Sequence, residues 1–319
     1  MVEFLSLPLS VLIFPGGLFA LGLGLLIKGL DRKVAARLQR RVGPPLLQPF
    51  FDLIKLAGKD SLIPAEGHGG LFRWVPLAGP AAMALAAAMI PIAGVYRPSA
   101  GLGDLLVLFY LLAVPAVVLM LAGAASGSPF GAIGFSREMT MMIAYELPIL
   151  LVLLSVAVAV GMARGDAIAL SLSDIVAYQQ VHGPFIADPR MWPALLCFLF
   201  FLPATLGAMP FDSPEAETEI LEGPLLDYSG PLLGVFKMMS ALKLVVVLGL
   251  GITFFFPNGP DGILGLGVFA IKCAVLAILS VTVVRVSTGR MRIDQAFRFF
   301  LKVPLALGTA SLVIVLSGI

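Results

Sequence analysis

Apolar runs of about 20 residues recur along this sequence, and they constrain its fold more than any other feature. A helix needs about that many mostly apolar residues to cross the hydrocarbon core of a bilayer. Hydrophobic residues form 59% of the 319 positions and charged residues only 13%, and the mean hydropathy of +1.03 lies far outside the range of soluble domains. The sequence therefore predicts an all-α polytopic membrane protein with one integral membrane domain.

About eight runs are long enough to be predicted as transmembrane helices. They occupy residues 8–30, 71–95, 104–125, 139–162, 191–209, 232–256, 263–285 and 297–317. The fifth is the weakest, because it is short and Pro203 interrupts it, and we predict a kinked span there. No small-residue cleavage site follows the first run, so we expect it to be the first span and not a removed signal peptide.

Lysine and arginine are distributed unevenly between the loops, which predicts an orientation. The segment after the first span carries Lys28, Arg32, Lys33, Arg37, Arg40, Arg41, Lys55 and Lys59. The segment after the seventh carries Arg285, Arg290, Arg292, Arg298 and Lys302. The loops of the other side hold only Arg97, Arg164 and Arg190. The positive-inside rule then places the loops after spans one, three, five and seven in the cytoplasm and both termini outside.

Two cytoplasmic segments are predicted to form short amphipathic helices. In residues 46–58 the apolar side chains fall largely on one helical face, so this segment should lie in the membrane interface. In residues 210–230, Ser213 is a plausible N-cap, with Pro214 at the first helical position. We predict a helix from there to about Glu222, ended by Gly223 and Pro224.

The second segment is unusually acidic for a chain with only 19 acidic residues. Its acids are Asp212, Glu215, Glu217, Glu219, Glu222 and Asp227. On the predicted helix Glu215, Glu219 and Glu222 share one face. They could simply face water, as most charge runs do. If a partner protein covers them, mutual repulsion would keep some protonated at neutral pH, and the cluster would store protons.

Three further charged residues lie within apolar runs: Glu146, Lys243 and Lys272. A charge at membrane depth costs several kcal/mol unless it is paired or hydrated, so each is a candidate for ion coupling. For the two lysines a structural ion pair between helices is an equal alternative. For Glu146 we favour a proton role, because burial shifts the pKa of a carboxyl towards neutrality.

Metal-ligand patterns are missing from the sequence. Cys197 and Cys273 each stand alone in an apolar run, which is typical of core residues, and His68 and His182 are the only histidines. No spacing is suited to zinc, an iron–sulfur cluster or haem. We therefore expect no cofactor on this chain, and any redox centre must belong to another subunit.

Five stretches carry a resemblance to a known family. They are DRKVAARLQRRVGPPLLQPFFDLIKLAGKD (31–60), GSPFGAIGFSREM (127–139), YELP (145–148), PFDSPEAETEILEGPLLDYSG (210–230) and TGRMRIDQ (288–295). With them the chain resembles the membrane docking subunit shared by respiratory complex I and the energy-converting nickel–iron hydrogenases. Within that family it is more similar to the hydrogenase-type members, which are linked to formate, carbon monoxide or ferredoxin.

The resemblance implies a non-catalytic coupling subunit in a prokaryotic plasma membrane. Its partners would be hydrogenase-type large and small subunits, iron–sulfur subunits and antiporter-like membrane subunits, besides the lipid bilayer, and no nucleic acid. Iron–sulfur clusters and a nickel–iron centre would lie in the partners, in a redox arm on the cytoplasmic side. Electron transfer there would be coupled to translocation of protons or sodium ions.

Individual positions match the family pattern. Glu146 matches a buried glutamate on the proposed proton path. Glu215, Glu217 and Glu219 match acids beneath the docked arm, and Asp227 matches the acid before its Tyr-Ser-Gly turn. The residues expected to dock the arm are Asp31, Arg32, Lys33, Arg37, Arg40, Arg41, Arg137, Arg290, Arg292 and Asp294.

One departure from the family pattern concerns the fifth span. Thr205 and Ala208 stand where many relatives have a glutamate and a basic residue. Glu138 could supply the missing acid, water could bridge the gap, or the chain could transmit a signal without conducting protons itself.

Two other functions remain open at this point. The chain could contribute to the quinone chamber of a complex I relative. It could also be a self-sufficient ion transporter, as the buried Glu146 and Lys272 would allow.

Overall fold

The structure is a computed structural model that describes residues 8–65, 67–98, 103–165 and 168–317, with the side chain of Glu217 excepted. These residues form helices joined by turns, and no β-strand occurs among them. In chain order the helices are α1 (Gly17–Leu38), α2 (Gln48–Ala57), α3 (Gly69–Met89), α4 (Leu105–Ser126), α5 (Pro129–Arg164), α6 (Leu172–His182), α7 (Trp192–Thr205), α8 (Glu217–Ile220), α9 (Gly230–Phe255), α10 (Ile263–Ala277), α11 (Val283–Ser287) and α12 (Ile293–Ser317). A π-helical turn, Ile278–Thr282, joins α10 to α11.

Seven helical segments in the described part of the chain are long and apolar enough to cross a membrane. They are Pro8–Leu38, Gly69–Met89, Leu105–Ser126, Pro129–Arg164, Gly230–Phe255, Ile263–Ser287 and Ile293–Ser317. The expected all-α polytopic membrane fold is confirmed. At the predicted fifth span the structure has a shorter apolar helix, Pro189–Thr205, and Pro203 lies in its last turn.

Helix α9 is the centre of the bundle. It packs against α1, α2, α3 and α10. In its most apolar stretch 89% of the residues are buried, whereas the corresponding value for the peripheral α12 is 22%. A helix that is apolar on all sides is expected in such a central position. Lys243 lies in the middle of α9, so it is a charge in the core of the protein.

The 36-residue helix α5 forms the other long wall of the bundle. Pro129 stands at its start, where the missing N–H costs no hydrogen bond, and Gly165 ends it with a φ of 84°. It packs against α4, α7 and α12. Glu138 and Glu146 both belong to this helix, which fixes them along one wall.

Helix α2 occupies the region in which an interfacial helix was predicted. Its exposed apolar side chains include Phe51 and Ile54, which are 54% and 71% exposed, while Pro49 and Leu56 are buried against the bundle. An apolar surface open on one side is expected of a helix that contacts lipid. Its position in the membrane interface stays a prediction.

Helix α6 was not predicted, although Ser171 before its start and Asp174 in its first turn are ordinary helix-start signals. Its buried Gln179 donates a hydrogen bond to the carbonyl oxygen of Thr253 over 2.9 Å and accepts one from the amide of Phe185 over 3.2 Å. These bonds join α6 to the end of α9.

The prediction of one continuous helix in the acidic segment is wrong. Residues 213–215 form a 3₁₀ turn, α8 is a single turn, and Leu221 and Glu222 have positive φ values of 52° and 68°. Another 3₁₀ turn begins at Gly223. Because the backbone direction changes twice, Glu215, Glu219 and Glu222 do not share a helical face. We call the end of the bundle that carries residues 210–230 the acidic end.

Close contact between α1 and α9 depends on Gly24, and it yields a testable prediction. A Cβ atom at Gly24 would lie 2.2 Å from the carbonyl oxygen of Ala241, whereas one at Gly22, on the same helix, would meet nothing within 4 Å. We expect Gly24→Ala to separate the helices at a cost of roughly 1–3 kcal/mol, the usual range for overpacking. The thermal midpoint of the protein in mild detergent should fall by several degrees.

Gly22→Ala is the matched control, and its midpoint should stay constant or rise slightly, because alanine favours helix more than glycine does. Equal midpoints for the two variants would contradict the close contact of α1 with α9.

Candidate functional site

Charged side chains meet in a cavity of about 300 Å³ at the acidic end of the bundle. We call it the charged cavity. Its walls come from α1, α2, α5, α9 and residues 204–225. The charged residues that line it are Lys28, Arg32, Asp52, Glu138, Asp212, Glu215, Glu222, Lys237 and Lys243. The volume far exceeds the roughly 10–15 Å³ that one water molecule needs, so the cavity can hold several waters.

Lys243 is the central cation of this site. Its side chain is only 6% exposed, and it interacts electrostatically with Glu138, Glu215 and Glu146. It takes part in none of the ion pairs within 4.0 Å among the described residues. The ammonium therefore shares its field among three carboxyl groups and is not locked to one of them.

Helix α5 places two carboxyl groups near this lysine. Glu138 is 9% exposed and lines the charged cavity. Glu146 lies two turns further along α5, is half-buried, and does not line the cavity, although it still interacts with Lys243. The structure thus brings together Glu138, Glu146 and Lys243, which were predicted separately from the sequence.

Residues of the same chain hold the acidic segment in place. Arg290 donates two hydrogen bonds to Asp212, from Nε over 2.9 Å and from Nη2 over 2.6 Å, and a third to Thr218 over 2.6 Å. Arg137 donates to Glu219 over 2.5 Å and to the carbonyl oxygen of Ser213 over 3.2 Å. Planar guanidinium groups are well suited to such multiple contacts.

Close packing also holds the segment against α5. A Cβ atom at Gly134 would lie 2.4 Å from Cδ of Pro224, so the ring of this proline touches the helix backbone directly. Ser213 donates a hydrogen bond over 3.2 Å to the carbonyl oxygen of Met291, on the loop before α12. The segment is therefore fixed between α5 and that loop.

Glu215 points into the charged cavity and is partly buried. Burial raises the pKa of Glu215 above its usual range, although the charges of Lys243 and Lys28 act in the opposite direction. The negative charges of the neighbouring acids Glu222 and Asp212 raise the pKa of Glu215 further. Part of the predicted acidic cluster is thus enclosed by the chain itself.

Several residues predicted to dock a partner already have partners within this chain. Asp31 accepts a hydrogen bond from Thr282 over 2.6 Å and pairs with Arg285 at 2.9 Å. Arg32 pairs with Asp52 at 3.1 Å. Arg137 and Arg290 bind the acidic segment, as described above. These charges therefore stabilise the acidic end through ion pairs within the chain itself.

The other docking candidates are more accessible. Lys33 is partly buried, and the exposed ones are Arg37, Arg40, Arg41, Arg292 and Asp294. Arg292 and Asp294 pair with each other at 3.4 Å while remaining 80% and 51% exposed. These residues lie near the acidic end and form its accessible charged surface.

Besides Glu146 and Glu219, three predicted coupling residues lie outside the charged cavity or cannot be placed. Lys272 donates hydrogen bonds to the carbonyl oxygens of Phe256, over 2.7 Å, and of Asn258, at the opposite end of the bundle. Asp227 does not line the cavity, and its Oδ2 is buried without a hydrogen-bond partner among the described residues. The side chain of Glu217 lies outside the described part of the chain.

Part of the site was not predicted from the sequence. Lys28, which served there only to indicate orientation, donates a hydrogen bond over 2.6 Å to Ser240 of α9 and lines the cavity. Lys237 and Asp52 line it too. Burial opposes ionisation of Asp52, but hydrogen bonds from Gln48 and Arg32 prevail and lower its pKa. The sequence did contain a signal that Lys28 belongs to this site: it lies four residues before Arg32, and this spacing places both side chains on one face of α1.

Metal ligation finds no support in the described part of the chain. No group of three histidine, cysteine, aspartate or glutamate side chains among those residues could hold a metal ion. Cys197 and Cys273 are both buried as free thiols. The charged side chains of the cavity can redistribute protons and counter-charges around the buried ammonium of Lys243.

Comparison with known proteins identifies relatives of the whole chain. Residues 11–316 match the protein family described as NADH dehydrogenase. Formate hydrogenlyase subunit 4 of Escherichia coli (strain K12) is 36% identical over 84% of this chain and 87% of that protein. One NADH-quinone oxidoreductase subunit, from Dehalococcoides mccartyi (strain CBDB1), is 32% identical over 89% of this chain and 79% of that protein.

Two further similarities agree with these. Hydrogenase-4 component C of Escherichia coli (strain K12) is 34% identical over 73% of this chain and 71% of that protein. Among solved structures, a chain of the membrane-bound sulfane sulfur reductase, an archaeal respiratory membrane complex, superposes with a TM-score of 0.87 at 26% identity. The match covers 99% of this chain and 100% of that chain.

The first prediction from this site concerns Arg290. Replacing it with methionine removes three hydrogen bonds that hold the acidic segment, and hydrogen bonds to charged groups contribute roughly 1.5–3 kcal/mol each. We expect backbone hydrogen exchange in residues 211–222 to accelerate by about tenfold or more, which corresponds to a loss of about 1.4 kcal/mol. Arg292→Met is the control, because an exposed ion pair contributes little, and it should leave the exchange unchanged.

The second prediction concerns the proton on Glu215. Because its pKa is raised, this acid should keep its proton to a higher pH than an ordinary glutamate. In an infrared pH titration, Glu215→Gln should remove a protonated-carboxyl signal that persists above the usual glutamate range. Glu219→Gln, at a side chain that is 45% exposed and paired with Arg137, should not remove it. Identical titrations for both variants would contradict the enclosed position of Glu215.

Proposed function

Because the chain belongs to the membrane-subunit family described as NADH dehydrogenase, we propose that it is the membrane-anchor and coupling subunit of a multi-subunit energy-converting hydrogenase. It would dock a peripheral redox arm and link electron transfer in that arm to translocation of protons or sodium ions. The charged cavity beneath the acidic segment is the observation on which this proposal depends. The relatives named as formate hydrogenlyase subunit 4 and hydrogenase-4 component C support the hydrogenase branch.

The proposed docking face is the acidic end of the bundle. Exposed arginines cluster around the end of α1, at residues 37, 40 and 41, and the positive-inside rule places such clusters in the cytoplasm. The redox arm would then bind on the cytoplasmic side of a plasma membrane, and both termini would lie outside. The partly buried Lys33 and the exposed pair of Arg292 and Asp294 would border the contact.

Iron–sulfur clusters and a nickel–iron centre would belong to partner subunits. The described residues of this chain offer no ligand set for them. The proposed partners are therefore a hydrogenase-type large and small subunit and iron–sulfur subunits at the acidic end, with antiporter-like subunits beside the bundle.

Lys243 is the proposed coupling group. It interacts electrostatically with Glu138, Glu146 and Glu215, and Glu138 and Glu215 line the cavity beside it, which can hold water. Charge that develops in a docked arm would change the protonation of these carboxyls, because coupled acids around one cation titrate as a unit. Movement of the acidic segment would act on the same group, since Glu215 belongs to that segment. Both routes transmit an electrical or mechanical signal from the arm to the membrane core.

Substitution of the buried charges tests this proposal. A change of one unit in the pKa of a carboxyl alters the ratio of its protonated and ionised forms tenfold. We therefore expect Lys243→Met and Glu138→Gln to lower the number of ions moved per electron pair below that of the unaltered complex. Glu146→Gln should weaken coupling while leaving assembly intact. The measurement is electron-transfer-driven ion uptake by proteoliposomes containing the whole complex, normalised to the electron-transfer rate.

The matched control is Lys302→Met, at an exposed lysine of α12. It should leave assembly and coupling unchanged. Normal coupling in Lys243→Met and Glu138→Gln would contradict the proposed role of the cavity. A complex that reduces added quinone and evolves no hydrogen would instead favour the quinone-chamber role, and ion flux through the isolated chain would favour a self-sufficient transporter.

A further inference from the structure

An apolar groove of about 740 Å³ runs along the side of the bundle, and Phe211 lines both this groove and the charged cavity. It lies between α7 and the continuous segment formed by α10, the π-helical turn and α11. Leu196, Leu199 and Phe200 form one wall, and Ile271, Val275 and Leu279 form the other. We call it the lateral groove. Its walls belong to helices of the membrane-spanning bundle, so it faces the hydrocarbon layer.

The lateral groove extends along most of the thickness of that layer. Its lining residues on the α10–α11 side run from Ile271 to Thr288, and 17 residue steps of helix correspond to about 26 Å. The hydrocarbon core is about 30 Å thick. Ile186 and Phe256 line one end, and Thr288 and Met291 line the end nearer the acidic segment.

The dimensions favour a lipid chain over a helix. A helix 10–12 Å wide that crosses a 30 Å layer occupies roughly 2,400–3,400 Å³. The lateral groove, at about 740 Å³, is smaller than that. A hydrocarbon chain is one methylene group thick, so it can enter a groove that a helix could only cover.

One end of the lateral groove carries a positive charge. Lys272 is the charged residue that lines it, and Cα–Cβ bonds tilt towards the start of a helix, which directs this side chain to the end opposite the acidic segment. The ammonium donates to the carbonyl oxygens of Phe256 and Asn258. Because an ammonium has three hydrogens, one donor remains. Lys272 takes part in none of the ion pairs among the described residues.

A tryptophan marks the same end as a membrane boundary. Trp192 is 54% exposed and donates a hydrogen bond over 3.1 Å to the carbonyl oxygen of Ile186, which lines the lateral groove. Tryptophan is enriched where the hydrocarbon layer meets the headgroups. The free donor of Lys272 therefore lies near the depth at which a lipid phosphate is found.

We propose that the lateral groove binds an anionic phospholipid, with one acyl chain along the groove and its phosphate accepting a hydrogen bond from Lys272. The long apolar walls of the groove favour binding of an acyl chain, and the positive charge of Lys272 at one end favours an anionic headgroup. Lys272 would then have two roles, because it also binds the loop that follows α9.

Two variants test the two halves of the site. Lys272→Met removes the charge, and Val275→Trp fills the groove at a position that is 50% exposed. The whole complex is purified from native membranes in mild detergent, and its bound lipids are counted by native mass spectrometry. We expect Lys272→Met to retain about fivefold less phosphatidylglycerol or other anionic phospholipid, a typical contribution of one basic residue at a membrane surface. Val275→Trp should also retain less of these lipids, because the indole ring occupies the space of the acyl chain. Retention of phosphatidylethanolamine should not change.

Matched controls are Lys302→Met and Val313→Trp, at exposed positions of α12 that do not line the lateral groove. Both should retain lipid as the unaltered complex does. Unchanged retention in Lys272→Met or in Val275→Trp would overturn the proposal, because the site needs both halves. Crosslinking of Val275→Cys to a helix of a partner subunit would also overturn it, since the groove would then be a protein interface.

Discussion

A positive charge in the middle of the most buried helix is the constraint on which the rest of this structure depends. Lys243 lies on α9, whose apolar stretch is almost entirely enclosed by the other helices. A charge at that depth needs counter-charges or water, since burial alone would cost several kcal/mol. The structure provides both kinds of compensation: Glu138 and Glu215 face the ammonium, and the cavity beside it can hold water.

That need also explains why the acidic segment folds back on its own chain. Glu215 can reach the cavity only if residues 210–225 are held against the start of α5, and Arg290 and Arg137 fix them there. Each of these arginines neutralises an acid of the segment other than Glu215. The segment therefore delivers one carboxyl to the membrane core and leaves Glu222 at the cavity rim.

The sequence was sufficient for the fold class, because apolar runs of this length have few alternatives in a protein. It also singled out Glu146, Lys243 and Lys272, since charges in apolar runs stand out, whereas Glu138 was considered only as a substitute for the acid missing from the fifth span. It did not predict the path of residues 213–225, because helical spacing was assumed where Arg290, Arg137 and the Gly134–Pro224 contact impose turns. Nor did it predict Lys28 as a cavity residue, because a lysine near the end of a span ordinarily extends to the membrane surface.

The composition of the charged cavity bears on Thr205 and Ala208, the positions at which the resemblance led us to expect a charged pair. Thr205 lines the cavity without bringing a charge, and Ala208 brings none either. Arg32 is paired with Asp52, and Asp212 with Arg290. Among the remaining charged lining residues, the basic ones are Lys28, Lys237 and Lys243, and the acidic ones are Glu138, Glu215 and Glu222.

These two sets balance when all are ionised, so a charged pair at positions 205 and 208 is not needed for neutrality. Positive charge enters the cavity from α1 and α9 instead of from the residues before Pro210. A balanced set of this kind responds to a single added charge nearby by taking up or releasing one proton, because any other response leaves an uncompensated charge in a region of low dielectric constant. The proposed coupling would then need a change of charge or position at the acidic end, and it would not need a continuous row of carboxylates through α7.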